Sequence, residues 1–581
     1  MSIVASGCGA SGAANTPVTY VAVRGGTIAF GMSQSPTGCN PHTPTGDTLG
    51  TRMILNAVLP SPFYVSSSGA PTPNPNLIVQ SELVSTMPET IVYTLNPRAV
   101  WSDGVPITAS DFEYAWTQQR SGRSAGDPAV SSIAGYRDIS SITGSNKGRT
   151  VTVIFRTTFA DWQMLFSNLL PAHIMEAIGW NPSCSTVSPS IDLSGGPFEI
   201  TTVSAQTITL ADNPNWWGTP PNARAVVVHI ASSSDQLAQW MNSGYVEVAQ
   251  PGTVTPAFLS QMTSLPNVQT SVDTSGTLLQ LEMSSGPDAL LPPDVRFAIA
   301  LSIDRQALVA QQANWALPSI QVANSQIYVQ GQVGYHASPI SSSDTAIPAA
   351  PTTTSTTLIG QGGGVNFPTT PVASQATALM NASGYLRSAG GTWHSAFGAP
   401  FTLHMVVDGS DPWVASAALM VQSELEALGF DVAIYTVNSA ARAGVVLADG
   451  FADMALLSRS STPFLSDALA WYTPLLGPPG QNGSENWTDY TNNQFDQLLE
   501  SASQQLNPDA AAMTYAQADS QLWDDMVSLP LFVEPSALAW SRIIGGVVPT
   551  PRSDSLLWYA QFWAVRTPEP TNNTTPSLPG Q

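Results

Sequence analysis

The chain is short of positive charge. It has one lysine, Lys147, and seventeen arginines against 40 carboxylates, for a formal charge of −22. Nucleic acid needs clustered Lys and Arg to displace its counterions, and no such cluster is present. The same shortage argues against docking on anionic lipid through a basic patch. Long apolar runs are missing too. No stretch reaches the roughly 18 apolar residues that a membrane-spanning helix needs. The preference for arginine over lysine points to a GC-rich genome and carries no mechanism.

Catalytic signatures are absent as well. There is no G-x-S-x-G elbow, no H-E-x-x-H, no Walker loop and no dinucleotide fingerprint. Gly362-Gly363-Gly364 lacks the following Lys-Ser/Thr of a phosphate loop. No histidine lies four residues from another. His42 and His173 each read as a structural hydrogen-bonder beside a turn. Asp524-Asp525 and the pair Asp449/Asp453 read as solvated acids of an acidic protein. We expect no enzyme, no cofactor and no metal.

Cysteine is scarce, with three in the chain. They lack the histidine spacing of a zinc site. Ile3-Val4-Ala5-Ser6-Gly7-Cys8 looks like the tail of a lipoprotein signal peptide, with small residues before a cysteine that becomes lipidated. Residues 9–17 are small and polar, which suits a tether. That leaves Cys39 and Cys184, which an extracellular chain is expected to pair. Closing so long a loop is worth roughly 4–5 kcal/mol in the chain-entropy model. Two free buried thiols are the alternative.

What is present is length and local pattern. A chain of 581 residues has room for several lobes with large cores. Its most informative stretch runs from Tyr93 to Trp116, YTLNPRAVWSDGVPITASDFEYAW. An alternating strand from Thr90 ends in Tyr93-Thr94-Leu95. Trp101-Ser102-Asp103-Gly104 is a turn. Thr108-Ala109-Ser110-Asp111 caps a helix whose apolar side carries Phe112, Ala115 and Trp116. Further on, Asn40-Pro41-His42 reads as a turn after a strand at 25–31. Asn213-Pro214-Asn215-Trp216-Trp217-Gly218 follows a strand at 206–210, with the tryptophans in packing roles. Asp294-Val295-Arg296-Phe297-Ala298-Ile299-Ala300-Leu301-Ser302-Ile303-Asp304-Arg305 opens a helix, with Arg296 and Asp304 facing solvent or pairing locally. Phe401–Val407, Ala415–Leu428 and Asp431–Thr436 form a β-α-β block, which implies a parallel strand pair. Strands at 453–457 and 528–532 flank helices at 490–503 and 510–523.

In this order the motifs resemble those of family 5 extracellular solute-binding proteins, the peptide/nickel-binding components of ABC importers. Gly195-Gly196-Pro197-Phe198, Leu169-Leu170-Pro171-Ala172-His173 and Ser528-Leu529-Pro530-Leu531-Phe532 extend the resemblance over most of residues 20–565. It implies an α/β, two-lobed periplasmic-binding-protein-like fold of class II, the large peptide-binder type, with an extra subdomain in lobe I. The lobes are joined by a two-stranded hinge. The implied division is a tether at 1–19, lobe I at 20–45, 158–275 and 525–566, and the extra subdomain at 46–157. Lobe II takes 276–524, with a low-complexity insertion at 337–373, and 567–581 is a disordered tail.

The resemblance also implies a function. An oligopeptide or peptide-like ligand binds between the lobes, largely through main-chain groups, and passes to the permease subunits. The protein is a monomer, held at the outer face of the cytoplasmic membrane by its lipid alone. Alternatives are a non-peptide solute, such as a metal chelate or glycoconjugate, and an envelope lipoprotein that kept the fold as a scaffold. Three stretches are implied to line the cleft: Thr45-Gly46-Asp47, Gly276-Thr277-Leu278 and Ser458-Arg459-Ser460-Ser461-Thr462. The family places an aspartate in a W-x-x-D-Y-like element, where this chain has Ser461 or Thr462 with Arg459 near the tryptophan position. Asp467 or Asp47 is a substitute carboxylate, Arg459 suits an anionic ligand group, and Trp471 and Tyr472 form a pocket floor or pack in the core.

Overall fold

The computed structural model describes residues 20–66, 69–120, 130–289, 291–313, 320–329, 332, 367–481, 483–550 and 553–568. Cys8, the tether, most of the 337–373 insertion and the chain after Pro568 lie outside the described residues.

The Tyr93–Trp116 stretch forms the strand, turn and capped helix that its pattern predicts. Buried and half-buried residues alternate along the strand Glu89–Leu95. It lies inside a four-stranded antiparallel sheet with Ile78–Thr86, Thr150–Phe155 and Ile139–Ser145. Trp101 is fully buried at the turn. In the helix Ala109–Gln119, Thr108 and Asp111 form a capping box, and the Thr108 N–H donates to Asp111 Oδ2 at 2.8 Å. Asp111 Oδ1 accepts from the Ala172 N–H at 3.0 Å, tying this helix to the next, Ala172–Ile178.

The main sheet has ten strands. In chain order they are β1 (Thr27–Met32), β2 (Phe198–Val203), β3 (Thr207–Asp212), β4 (Ala225–Ile230), β5 (Val248–Gln250), β6 (Val268–Met283), β7 (Thr402–Asp408), β8 (Asp431–Val437), β9 (Met454–Ser460) and β10 (Ser528–Ser541). Their spatial order is β8-β7-β9-β6-β10-β5-β1-β4-β3-β2. β7 and β8 are parallel, with the helix Pro412–Ala427 between them in the chain, as the β-α-β reading expects.

Two strands run through both halves. β6 has 16 residues and β10 has 14. At about 3.3 Å per residue β6 reaches roughly 50 Å, too far for one lobe. Val268–Thr274 pairs with Pro535–Ser541, and Leu278–Glu282 pairs with Ser528–Val533. Between these segments the register shifts, and Gly276 sits there at φ +77°. A left-handed backbone favours glycine, which suits the point where the register shifts. The molecule is two-lobed, with β6 and β10 as the shared strands.

Two expectations change, and β6 carries Gly276-Thr277-Leu278 in its interior, since it begins at Val268 in a polar stretch without alternation. Arg296 does not face solvent. It is buried, and its guanidinium donates to the carbonyls of Met526, Asp525 and Leu291 at 2.7–3.0 Å. The C-terminal segment stays ordered through Pro568, because Ala564–Pro568 pairs antiparallel with Tyr20–Val23.

Candidate functional site

A cavity of about 540 Å³ lies between the halves. One wall comes from residues 47–71, 131–132, 163–168 and 555–558, and the other from residues 440–441 and 457–487. Both walls carry aromatic rings, Tyr64 and Trp558 on the first, Trp471 and Trp487 on the second.

The first wall is held by a clamped turn. Cys39 and Cys184 are disulfide-bonded, with Cα atoms 6.0 Å apart and 145 residues between them in sequence. Beside the bridge, Asn40 Nδ2 donates to the Trp180 carbonyl at 2.7 Å. His42 Nε2 meets the Asn168 carbonyl at 3.0 Å, and burial lowers the His42 pKa. A Cβ at Gly46 would stand 2.0 Å from the Asn40 carbonyl oxygen, so only glycine closes this turn. Its product is Asp47, placed at the cavity and ion-paired with Arg52.

The second wall is built on the end of β9. β7 pairs with β9 only at Met454–Leu456. The Ser461 N–H donates to the Gly276 carbonyl at 2.9 Å, which fixes the antiparallel alternation with β6. The main chain of Leu457 and Arg459 therefore faces β6, and that of Ser458 and Ser460 faces the uncovered flank. Leu457 through Ser460 all line the cavity. An extended backbone can add here.

Seven of the expected ligand-binding residues lie in the lining: Asp47, Ser458, Arg459, Ser460, Thr462, Asp467 and Trp471. Thr45, Gly46, Gly276, Thr277, Leu278 and Ser461 do not. Leu278 is fully buried among Tyr472, Val533 and Phe495, because both faces of β6 are covered at this point, with Leu278 in one core and Leu279 in another. Asp467 accepts from the Thr462 N–H and so shapes the loop after β9.

Arg459 differs from expectation in role. Its side chain is 1% exposed. Nε is bonded to Glu282, which is wholly buried, Nη1 meets Glu485 Oε2 at 3.2 Å, and Nη2 donates to the Glu485 carbonyl at 2.7 Å. The guanidinium also lies 5.6 Å from the Trp471 ring. The fork that was to grip a ligand anion is spent on the protein's own carboxylates. The residue sequence reasoning missed is Glu485. It sits deep in the protein, yet 46% of its side chain is exposed. Burial raises its pKa, Arg459 opposes the rise, and Glu282 and Asp47 add to it. The one signal in the local GPPGQNGSEN string was a lone acid in a Gly/Pro loop.

The wall at 163–168 was missed for another reason. Phe166 and Asn168 stand at φ +63° and +47°, a conformation side-chain-bearing residues rarely adopt. Sequence pattern does not encode it. Among the described residues no group of His, Cys, Asp and Glu is arranged to hold a metal.

A pair of α/β halves that share β6 and β10, with a cavity between them, is the architecture of a two-lobed binding protein, and sequence comparison gives the family. The profile of the bacterial extracellular solute-binding proteins, family 5 (middle), matches residues 72–520, and the chain belongs to that family. The oligopeptide-binding protein OppA of Mycobacterium bovis is 28% identical over 319 residues, 54% of this chain and 52% of that protein. A Mycobacterium tuberculosis protein named "Probable monoacyl phosphatidylinositol tetramannoside-binding protein LpqW" is 29% identical over 291 residues, 49% of this chain and 45% of that one. The matched region spans about half the length of these curated relatives. Among solved structures, the periplasmic EDTA-binding protein EppA superposes with a TM-score of 0.82 at 23% identity, covering 96% of this chain and 99% of that one.

Proposed function

We propose that this protein is the extracytoplasmic receptor of an ABC importer, lipid-anchored through Cys8. It binds an oligopeptide or peptide-like solute in the cavity, makes and breaks no covalent bond, and presents the closed complex to permease subunits. The lobe and subdomain boundaries given above belong to this reading. The observation that carries it is the cavity of about 540 Å³ between halves that share β6 and β10, with the uncovered flank of β9 on its wall. Small-ligand sites run from about 300 to 1,000 Å³, so the space suits a guest. A scaffold protein has no use for an open interior of that size. The β9 flank favours a ligand with a peptide-like backbone, whose groups pair with main chain and whose side chains fill wet pockets.

The test is native mass spectrometry of the purified protein, followed by small-angle scattering with and without the recovered or added peptide. A bound peptide mass and a smaller radius of gyration on saturation are expected. Absence of any retained peptide, with unchanged scattering across a peptide library, would refute the reading.

A further inference from the structure

We infer that the corner where the two chain ends pair, marked by Arg24, Arg224, Arg542 and Arg566, sits on the anionic headgroups of the bilayer that holds the lipid anchor. This rests on the reading of Cys8 as that anchor, and it adds a second contact to it.

No run of the sequence is basic, and the patch forms only because distant segments meet. Arg24 follows the strand Tyr20–Val23, which pairs with Ala564–Pro568, and that strand pairs in turn with Ile544–Gly545. The Arg566 N–H donates to the Ile543 carbonyl at 2.6 Å. Its guanidinium lies over Gly545, where a Cβ would stand 2.0 Å from Nε. Beside it the Phe562 carbonyl accepts from Asn222 Nδ2 at 3.1 Å, and the Asn222 carbonyl accepts from the Gly25 N–H at 2.7 Å. These bonds bring Arg224 alongside Arg24. Arg542 lies in the turn after β10, with its Nε donating to the Pro266 carbonyl at 3.1 Å.

All four arginines are exposed. Among the described residues none of them is in an ion pair, although acids outnumber bases 40 to 18 in the chain. Asp212 is bonded to Arg224 through main chain alone. Glu247, whose carbonyl accepts from the Ser541 N–H, turns its carboxylate inward to the Ala29 N–H at 2.6 Å. Among the arginines stand Val23, Ile543 and Phe562, each 43–47% exposed. Guanidinium groups take phosphate oxygens two at a time, and apolar side chains between them reach the headgroup boundary. The shortage of positive charge that argued against such a surface is therefore uneven in space.

Chain length supplies an independent argument. Cys8 stands twelve residues before Tyr20, the first residue of the strand that carries this corner. Twelve residues reach at most about 40 Å, and about 20 Å as a flexible coil. The corner is thus the part of the described chain held closest to the anchor in sequence. A net charge of −22 does not forbid the contact. Charges beyond about 8 Å are screened at physiological ionic strength, so a bilayer feels the surface set against it. Each basic residue there strengthens binding roughly fivefold. A tethered chain needs no more than a weak contact, because the tether keeps its concentration at the surface high. The four arginines belong to the half that contains β1 to β5, so the contact fixes that half and leaves the half with β7 to β9 free to swing.

The test uses the full chain with Cys8→Ser, which isolates the patch from the lipid. It is sedimented with vesicles of phosphatidylcholine alone and of phosphatidylcholine mixed equally with phosphatidylglycerol. Partitioning about tenfold or more higher on the anionic vesicles is expected, declining as salt is raised. Adding Arg24→Gln, Arg224→Gln, Arg542→Gln and Arg566→Gln, with an unchanged melting profile to show folding, is expected to abolish the preference. Equal partitioning on the two vesicles, or a folded quadruple variant that keeps the preference, overturns the inference. So does a dimer of the Cys8→Ser chain that the four glutamines split, since the patch would then belong to a second copy. The mass of the protein extracted from its own membrane tests the anchor separately. Without lipid on Cys8 the anchor reading falls, and the vesicle preference still decides the patch.

Discussion

Arg305 and Arg459 are the two most deeply buried arginines among the described residues, and their surroundings differ in kind. Arg305, behind β10, has no acidic partner among the described residues. Its Nη1 and Nη2 donate to the carbonyls of Ala323, Pro530, Phe367 and Pro368 at 2.9–3.2 Å, and its guanidinium lies 5.5 and 5.6 Å from the rings of Phe367 and Trp523. Burial without a counter-charge pulls its pKa down to about 9. Arg459, at the cavity, is bonded to two carboxylates, and they outweigh the effect of burial. The first arginine is a staple for main chain. The second sets the charge of the cavity wall. A buried cation declares its role by what it faces, and the two can be separated by substitution.

The largest effect is expected for Arg459→Met. It leaves Glu282 buried without its cation and costs about 4 kcal/mol of stability, seen as a lower denaturant midpoint. Arg459→Met/Glu282→Gln should recover most of that loss. Failure of the second substitution to rescue would mean that the two are not a charge pair in the sense described. Arg305→Ala comes next, at about 3 kcal/mol, because four carbonyls lose their donor. It should leave ligand preference untouched, and a change in preference would break the distinction between staple and wall.

Acid supplies a third handle through Asp519, a buried carboxylate with no cation beside it among the described residues. Asp519 Oδ1 accepts from Ser325 Oγ and from the N–H groups of Gln326 and Ile327 at 2.7–3.2 Å, and burial pushes its pKa up to about 6. A carboxyl whose folded pKa is raised holds its proton longer in the native state. Its contribution to stability is therefore full below the ordinary value and falls as pH rises toward 6. A loss on the order of 2 kcal/mol between about pH 4 and 6 is expected from this group. Asp519→Asn keeps Oδ1 and should flatten the slope, measured by chemical denaturation at several pH values. The smallest effect is assigned to Gly276→Ala. Its φ of +77° makes a side chain strained by about 1 kcal/mol, and the opening between the halves should change more than the wall chemistry.

Much of the fold was legible because its signals are local. The capping box at Thr108 and Asp111, the glycine at 276 and the β-α-β block from 402 to 437 each depend on neighbours within a few turns. The Cys39–Cys184 pairing followed from cysteine scarcity in a chain read as extracellular. Arg296 was misjudged because its acceptors, Met526 and Asp525, lie about 230 residues away. Leu278 was misjudged because its place in the chain says nothing of the cores that cover both faces of β6 there. Arg459 was found by position and misread by role, since Glu282 is 177 residues distant.

The order of strands, caps and turns, the lack of basic clusters and the absence of catalytic motifs were settled by the amino acids themselves, since each is a matter of composition or short-range pattern. Which carboxylate reaches the cavity, and which arginine is cancelled, was decided only when β6, β9 and the 477–487 loop came together. Charge balance is a property of neighbours in space, and strand register, not sequence distance, chooses those neighbours.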